Sequence, residues 1–407
     1  MQPTAVKLDR NITAFINVGH VVDHLFMLLF PTALLGMGAS FGHSYGELLA
    51  LATGGFIAFG AGSLPAGWLG DRWSRRNMLA VFFIGIGCAT LLTGLSTSVW
   101  MLATGLTLIG CFASIYHPVG TAMLTAHVHR VGRAIGLNGV FGNLGIAFSA
   151  LIAGGLTQWL GWRYAFILPG AAAVIIGVAF LLRVPDEPAV KRVRRAAALV
   201  ISRAILWRAF AVLTLAAVCG GLISNAAMVS MPKLFAERFA PIGASPLGVG
   251  AVVFGVYLIA SVSQLIVGHI VDRHAIKTVF IPLATLVTLC LLLGIHADNW
   301  LLFVLAAGLM FGVFGLVTVN DTIVAKYTGN EWRARAYALR YLVGFSASAA
   351  AVPLVAVLHT HSQDFVLMFE VLVVFSVLIL FSALAFPHRH EEVAVTATPP
   401  AGMPSPE

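Results

Sequence analysis

The chain is 407 residues long, 59% hydrophobic and only 10% charged, with a mean hydropathy of +0.94. That composition excludes a soluble globular domain, in which charged residues make up about a quarter of the chain. The formal net charge of +8 would suit a nucleic-acid binder, but the basic residues sit in short joints between apolar stretches, as a bilayer arranges them.

About twelve stretches reach the roughly 20 apolar residues that a spanning helix needs. They begin near Ile12, Glu47, Met78, Trp100, Ala134, Tyr164, Trp207, Leu247, Thr278, Trp300, Ala336 and Phe365. Lys7 and Arg10 precede the first stretch, Arg72, Arg75 and Arg76 follow the second, and Arg130 and Arg133 follow the fourth. The central joint holds Arg183, Lys191, Arg192, Arg194, Arg195, Arg203 and Arg208, and Arg273, Lys277, Lys326, Arg333, Arg335 and Arg389 return to that side. The opposite joints carry only Arg163, Lys233 and Arg238. This bias places both termini and the central joint in the cytoplasm of a multi-pass protein of the cell's inner (plasma) membrane.

In the first helix, Asn17, His20 and His24 fall on one face with Asp23 adjacent. Ionisable groups at membrane depth are costly and face a cavity or a partner. Asp23, His20 and His24 are therefore expected either to carry a coupling proton or to form a structural pair. Two histidines at this spacing also resemble half a metal site, but no further ligand is near in sequence, so no metal is expected. The first stretch is too long for a signal peptide and holds Asp23, so it is expected to be retained.

His117 precedes Pro118 in the fourth helix, where proline frees a backbone carbonyl of the kind that lines cavities. Asn225 in the seventh helix, Asn320 and Asp321 in the tenth, and Arg340 in the eleventh complete the expected substrate-binding set with Asn17 and His117. Asp321 and Arg340 form an interior pair on this reading, or sit near the cytoplasmic end with Arg340 snorkelling. The four cysteines, Cys88, Cys111, Cys219 and Cys290, lie in apolar stretches without paired or ligand spacing and read as packing residues. Beyond Pro387 the chain turns Pro-rich and loses periodicity.

A shift of 201 residues superposes Pro31 on Pro232, Gly67 on Gly268, Asp71 on Asp272, Arg72 on Arg273 and Arg76 on Lys277. A shift of 202 pairs Arg133, Ala134, Leu137 and Gly142 with Arg335, Ala336, Leu339 and Gly344. The expected plan is an all-α membrane protein of twelve helices in two pseudo-symmetric bundles, with a substrate path between them. The bundles span 1–190 and 207–390, joined by a basic cytoplasmic linker at 191–206 and followed by a disordered cytoplasmic tail at 391–407.

Gly67-Trp68-Leu69-Gly70-Asp71-Arg72, followed by Arg75 and Arg76, resembles the cytoplasmic loop signature of the major facilitator superfamily, echoed by Gly268 to Arg273. The resemblance implies a gating role for Asp71 and Arg72. Gly67, Arg75, Arg76, Asp272 and Arg273 join that gating set: an acid can cap a neighbouring helix while arginines bridge to the other half. These arginines also read as plain topology determinants. Gly161-Trp162-Arg163 between the fifth and sixth helices is similar to a stretch common in the superfamily. The helix 1 His/Asp cluster and Tyr116-His117-Pro118 resemble the fosmidomycin-resistance group of drug exporters.

The expected activity is proton-coupled export of a small amphiphilic or anionic compound by a monomer embedded in the lipid bilayer. Proton-coupled uptake of an organic acid is the alternative, and a non-transporting receptor or accessory subunit is a third. Nothing in the sequence has the form of a nucleotide loop, a metal motif or a nucleophile arrangement, so neither an enzyme nor a cofactor is expected.

Overall fold

The computed structural model describes residues 3–126, 131–185, 203–242, 245–327 and 330–387. The expected tail, and all but residues 203–206 of the expected linker, lie outside these. Among the described residues twelve helices are long and apolar enough to cross a membrane. They are α1 (Arg10–Gly36), α2 (Tyr45–Arg72), α3 (Arg75–Gly94), α4 (Val99–Ala126), α5 (Ala134–Leu160), α6 (Tyr164–Arg183), α7 (Trp207–Arg238), α8 (Pro246–Val271), α9 (Ile276–Gly294), α10 (Asn299–Val324), α11 (Val343–Ser362) and α12 (Val366–Ala385).

The packing repeats with the sequence. In the first half α1 lies on α5, α2 on α4, and α3 on both α4 and α6; in the second, α7 lies on α11, α8 on α10, and α9 on both α10 and α12. Arg76 donates to the Val184 and Leu181 carbonyls at 2.9 and 2.6 Å, and its repeat partner Lys277 donates to the Leu384 carbonyl. Each half thus closes its last helix with a cation on C-terminal carbonyls, where the helix dipole is negative. Ile175, Leu182, Val304, Val374 and Phe381 are more than half exposed, as suits side chains whose solvent is lipid. Trp100, Trp159, Trp207 and Trp300 stand exposed at helix ends, where the indole meets both lipid and water.

The halves meet along two equivalent seams, α5 with α8 and α2 with α11. Both are tight at the end bearing Tyr45. A Cβ on Gly154 would run into the Pro246 carbonyl, one on Gly250 into the Ala150 carbonyl, and one on Gly46 into Thr360. Toward the Asp71 end the seams loosen: a Cβ on Gly136 would meet nothing within 4 Å, and Leu64 and Trp68 of α2 are exposed.

Candidate functional site

The helix α4 is interrupted at a point where the sequence supplies a proline. Regular helix over Val99–Ala113 gives way to a π-helical turn at Tyr116–Gly120 and resumes at Thr121–Ala126. Pro118 has no N–H to donate, and the wider turn directs Tyr116 and His117 onto α1. His117 Nε2 comes to 3.3 Å from Asp23 Oδ2, with the Asp23 side chain fully buried and that of His117 22% exposed. The contact is ionic in distance but not aligned as a hydrogen bond. Among the described residues neither Asp23 oxygen receives one.

His20 Nδ1 lies 2.7 Å from the Asn138 carbonyl. A carbonyl only accepts, so this nitrogen carries the proton, and in the neutral ring Nε2 presents a lone pair. His24 Nε2, 3.1 Å away, then donates to it. The Tyr116 ring stacks on His20 at 5.0 Å, and its hydroxyl donates to the Ile16 carbonyl at 2.8 Å. Asn138 Nδ2 reaches the same hydroxyl at 2.9 Å and Asn17 Oδ1 at 3.0 Å. Gly142 permits the whole arrangement, since a Cβ there would sit 2.6 Å from the His20 ring.

The ring of His117 is 5.2 Å from that of His20 and 5.4 Å from that of His24, and one nitrogen from each of the three rings falls within 4.8 Å of the others. The sequence expectation of a histidine pair with no further ligand is therefore corrected: His117 is a third imidazole, brought in from 93 residues away by the α4 turn. Phe345 of α11 lies 5.9 Å from His117 and 4.8 Å from Phe59 of α2, so the cluster faces the seam between the halves. It does not face lipid.

The other expected site residues separate. Asn17 is a brace for Asn138. Asn225 is buried and donates to the Ser348 carbonyl at 2.6 Å, tying α7 to α11. Asn320 is buried in α10 next to the half-buried Asp321. The Arg340 side chain lies outside the described residues.

At the signature loop, the contacts among the described residues lie within one half. Exposed Asp71 pairs with Arg75 at 2.7 Å, Arg72 stacks 4.6 Å over Trp68, and Arg76 holds the end of α6. Ser74, rather than the acid, caps α3 by accepting from the Asn77 N–H at 3.1 Å. Gly67 lets α2 approach Pro118, with a built Cβ 3.1 Å from that ring. Asp272 closes α8, and Arg273 beside it is exposed.

Sequence reading missed Asn138, whose role depends on a contact across helices. It also missed a cluster at the Tyr45 end. There Glu237 of α7 takes Lys233 at 3.1 Å and His359 of α11 at 3.3 Å, while the Tyr45 ring of α2 lies 5.6 Å from the Lys233 nitrogen and 5.0 Å from the His359 ring. The i, i+4 spacing of Lys233 and Glu237 near the end of a spanning helix was the available signal.

The Major Facilitator Superfamily family model matches residues 17–240 and 213–405. The chain belongs to the Major Facilitator Superfamily. Its relatives there include the membrane sensor protein UhpC of Escherichia coli, 26% identical over 44% of this chain and 41% of that protein. The puromycin resistance protein pur8 of Streptomyces alboniger is 29% identical over 50% and 37%, so the chain aligns with about two-fifths of either relative. A probable 4-methylmuconolactone transporter of Cupriavidus pinatubonensis matches at 25% over 84% and 82%. Among solved structures, an inward-facing bacterial homologue of the lysosomal transporter Spinster superposes with a TM-score of 0.75 at 12% identity, over 95% of this chain and 98% of that one. None of the relatives named here is described as a fosmidomycin exporter.

Proposed function

We propose that the protein is a proton-coupled secondary transporter that exports a small amphiphilic or anionic compound by alternating access. The observation that carries the reading is the state of Asp23. A carboxylate removed from water without aligned donors costs several kcal/mol unless a cation compensates it, and among the described residues His117, partly exposed at the seam, is in ionic contact with it. A proton taken up at Asp23 from one side and released to the other would let the halves exchange the tight seam at the Tyr45 end for one at the Asp71 end. With the termini cytoplasmic, as the basic joints argue, the looser Asp71 end is the cytoplasmic one. Export is supported by the likeness to a puromycin resistance protein. Uptake of an organic acid is the second reading, favoured by the longer alignment with a probable 4-methylmuconolactone transporter.

The test is flux in proteoliposomes loaded with a pH dye, presenting candidate drugs and aromatic acids under an imposed pH gradient. The wild type should move protons with substrate and Asp23→Asn should not. Equal coupled flux in both would end the proposal, and the sign of the gradient that drives accumulation separates export from uptake.

A further inference from the structure

We infer that the cluster between α1 and α4 is also a site for a divalent transition-metal ion of the zinc, cobalt or nickel type, with His20, His24 and His117 as nitrogen ligands and Asp23 as the oxygen ligand. The inference rests on the reading above in one respect: the same cluster is taken to be reachable from the seam.

The donor set is the first argument. Three imidazoles and one carboxylate suit borderline cations, whereas magnesium and calcium need several oxygens. Bonds of about 2.0–2.1 Å at tetrahedral angles put neighbouring ligand atoms about 3.3 Å apart. Two edges of the cluster already have that length: 3.1 Å between the His20 and His24 Nε2 atoms, and 3.3 Å between His117 Nε2 and Asp23 Oδ2. The remaining separations between ring nitrogens are no more than 4.8 Å, which rotation of the rings can close; Asp23 stands outside that group of three and joins it through its 3.3 Å edge to His117.

The surroundings of the ligands are the second argument. Metal-binding histidines nearly always donate the other ring N–H to a carbonyl or carboxylate, which fixes the tautomer. His20 does so to the Asn138 carbonyl, and Asn138 is itself held by Tyr116 and Asn17. The lone pair of His20 Nε2 therefore points into the cluster without any rearrangement. His24 needs only to carry its proton on Nδ1 instead of Nε2, so binding to the neutral rings and the ionised carboxylate releases no proton.

Charge is the third. Asp23 is a buried carboxyl group whose oxygens receive no aligned hydrogen bond among the described residues. One divalent ion with three neutral rings compensates it with a single net positive charge. A bound metal also occupies the carboxylate that the proton would use, so metal and proton exclude each other and the metal inhibits coupled flux.

Cobalt titration of the purified, metal-stripped full-length chain tests this. One Co2+ per chain should bind with the intense visible absorption of four-coordinate cobalt and be displaced by Zn2+. His24→Gln and His117→Gln should each weaken binding by about 100-fold or more, and Asn138→Ala by less than either, because alanine keeps the backbone carbonyl that His20 donates to and loses only its bracing by Tyr116 and Asn17. His359→Gln, in the distant cluster at the Tyr45 end, should leave binding unchanged, and a melting curve confirms that each variant is folded. Weak six-coordinate spectra, or folded His24→Gln and His117→Gln proteins that bind as the wild type does, overturn the site. Proton flux on the same preparations separates the two readings. Asp23-dependent flux without cobalt binding overturns the metal site alone, and specific cobalt binding without such flux supports the metal site while removing the coupling reading.

Discussion

At the contact between α1 and α5, His20 packs against Gly142 and bonds the Asn138 carbonyl. At the matching contact between α7 and α11, a Cβ on Gly221 would meet the Gly344 carbonyl at 2.6 Å, the Ser348 hydroxyl donates to the Gly221 carbonyl at 3.1 Å, and Asn225 donates to the Ser348 carbonyl. The frame is the same in both halves, and the chemistry is not. The second half spends its polar side chains joining two helices, and each of these contacts is satisfied. The first half carries a carboxylate whose oxygens receive no aligned hydrogen bond among the described residues, with three imidazoles gathered beside it. Repetition of the fold therefore supplies the scaffold, and the proposed proton site lies where the first half departs from the repeat.

Asp23→Asn should break that asymmetry most strongly. Coupled flux should fall by about 100-fold or more, while the melting temperature rises, because an incompletely compensated buried charge is replaced by a neutral amide; the stabilisation expected is about 1–4 kcal/mol. Reduced flux with reduced stability would instead mark Asp23 as structural.

Gly46→Val acts on the other functional region, the seam closed at the Tyr45 end. The added side chain meets Thr360 and the Ala356 carbonyl, so spin-label distances across α2 and α11 at that end should lengthen. Overpacking of this kind costs about 1–3 kcal/mol, enough to shift the balance of access states by about fivefold or more. Unchanged distances would mean that this seam does not open and close in the cycle.

Asn225→Ala sharpens the comparison from the second half. Loss of its donor leaves the Ser348 carbonyl without that bond, at about 1–3 kcal/mol in stability, and substrate KM should stay within about twofold of wild type. A KM raised tenfold with normal stability would return Asn225 to the substrate path. The smallest effect expected is for Arg76→Ala, which removes a cation from the end of α6 for about 0.5–1 kcal/mol, readable as a small shift in thermal unfolding.

The fold was legible because lipid imposes it: apolar run length, the placement of arginines and the spacing of repeated glycines and acids each act locally. The α1 part of the site was legible for the same reason, since residues three and four apart share a helix face. Joining His117 to it depended on a π-helical turn that no periodicity announces, and Asn138 acts through its backbone carbonyl, which every residue has. Asn225 bonds a neighbouring helix, and in sequence an asparagine doing so looks the same as one facing a substrate. At the signature loop the contacts among the described residues lie within one half, Asp71 with Arg75 and Arg76 with the end of α6.

The most direct measurement is an infrared difference spectrum of the reconstituted protein between acidic and neutral pH. The account predicts a protonated-carboxyl stretching band present in the wild type and missing in Asp23→Asn. Identical difference spectra for the two proteins would contradict it.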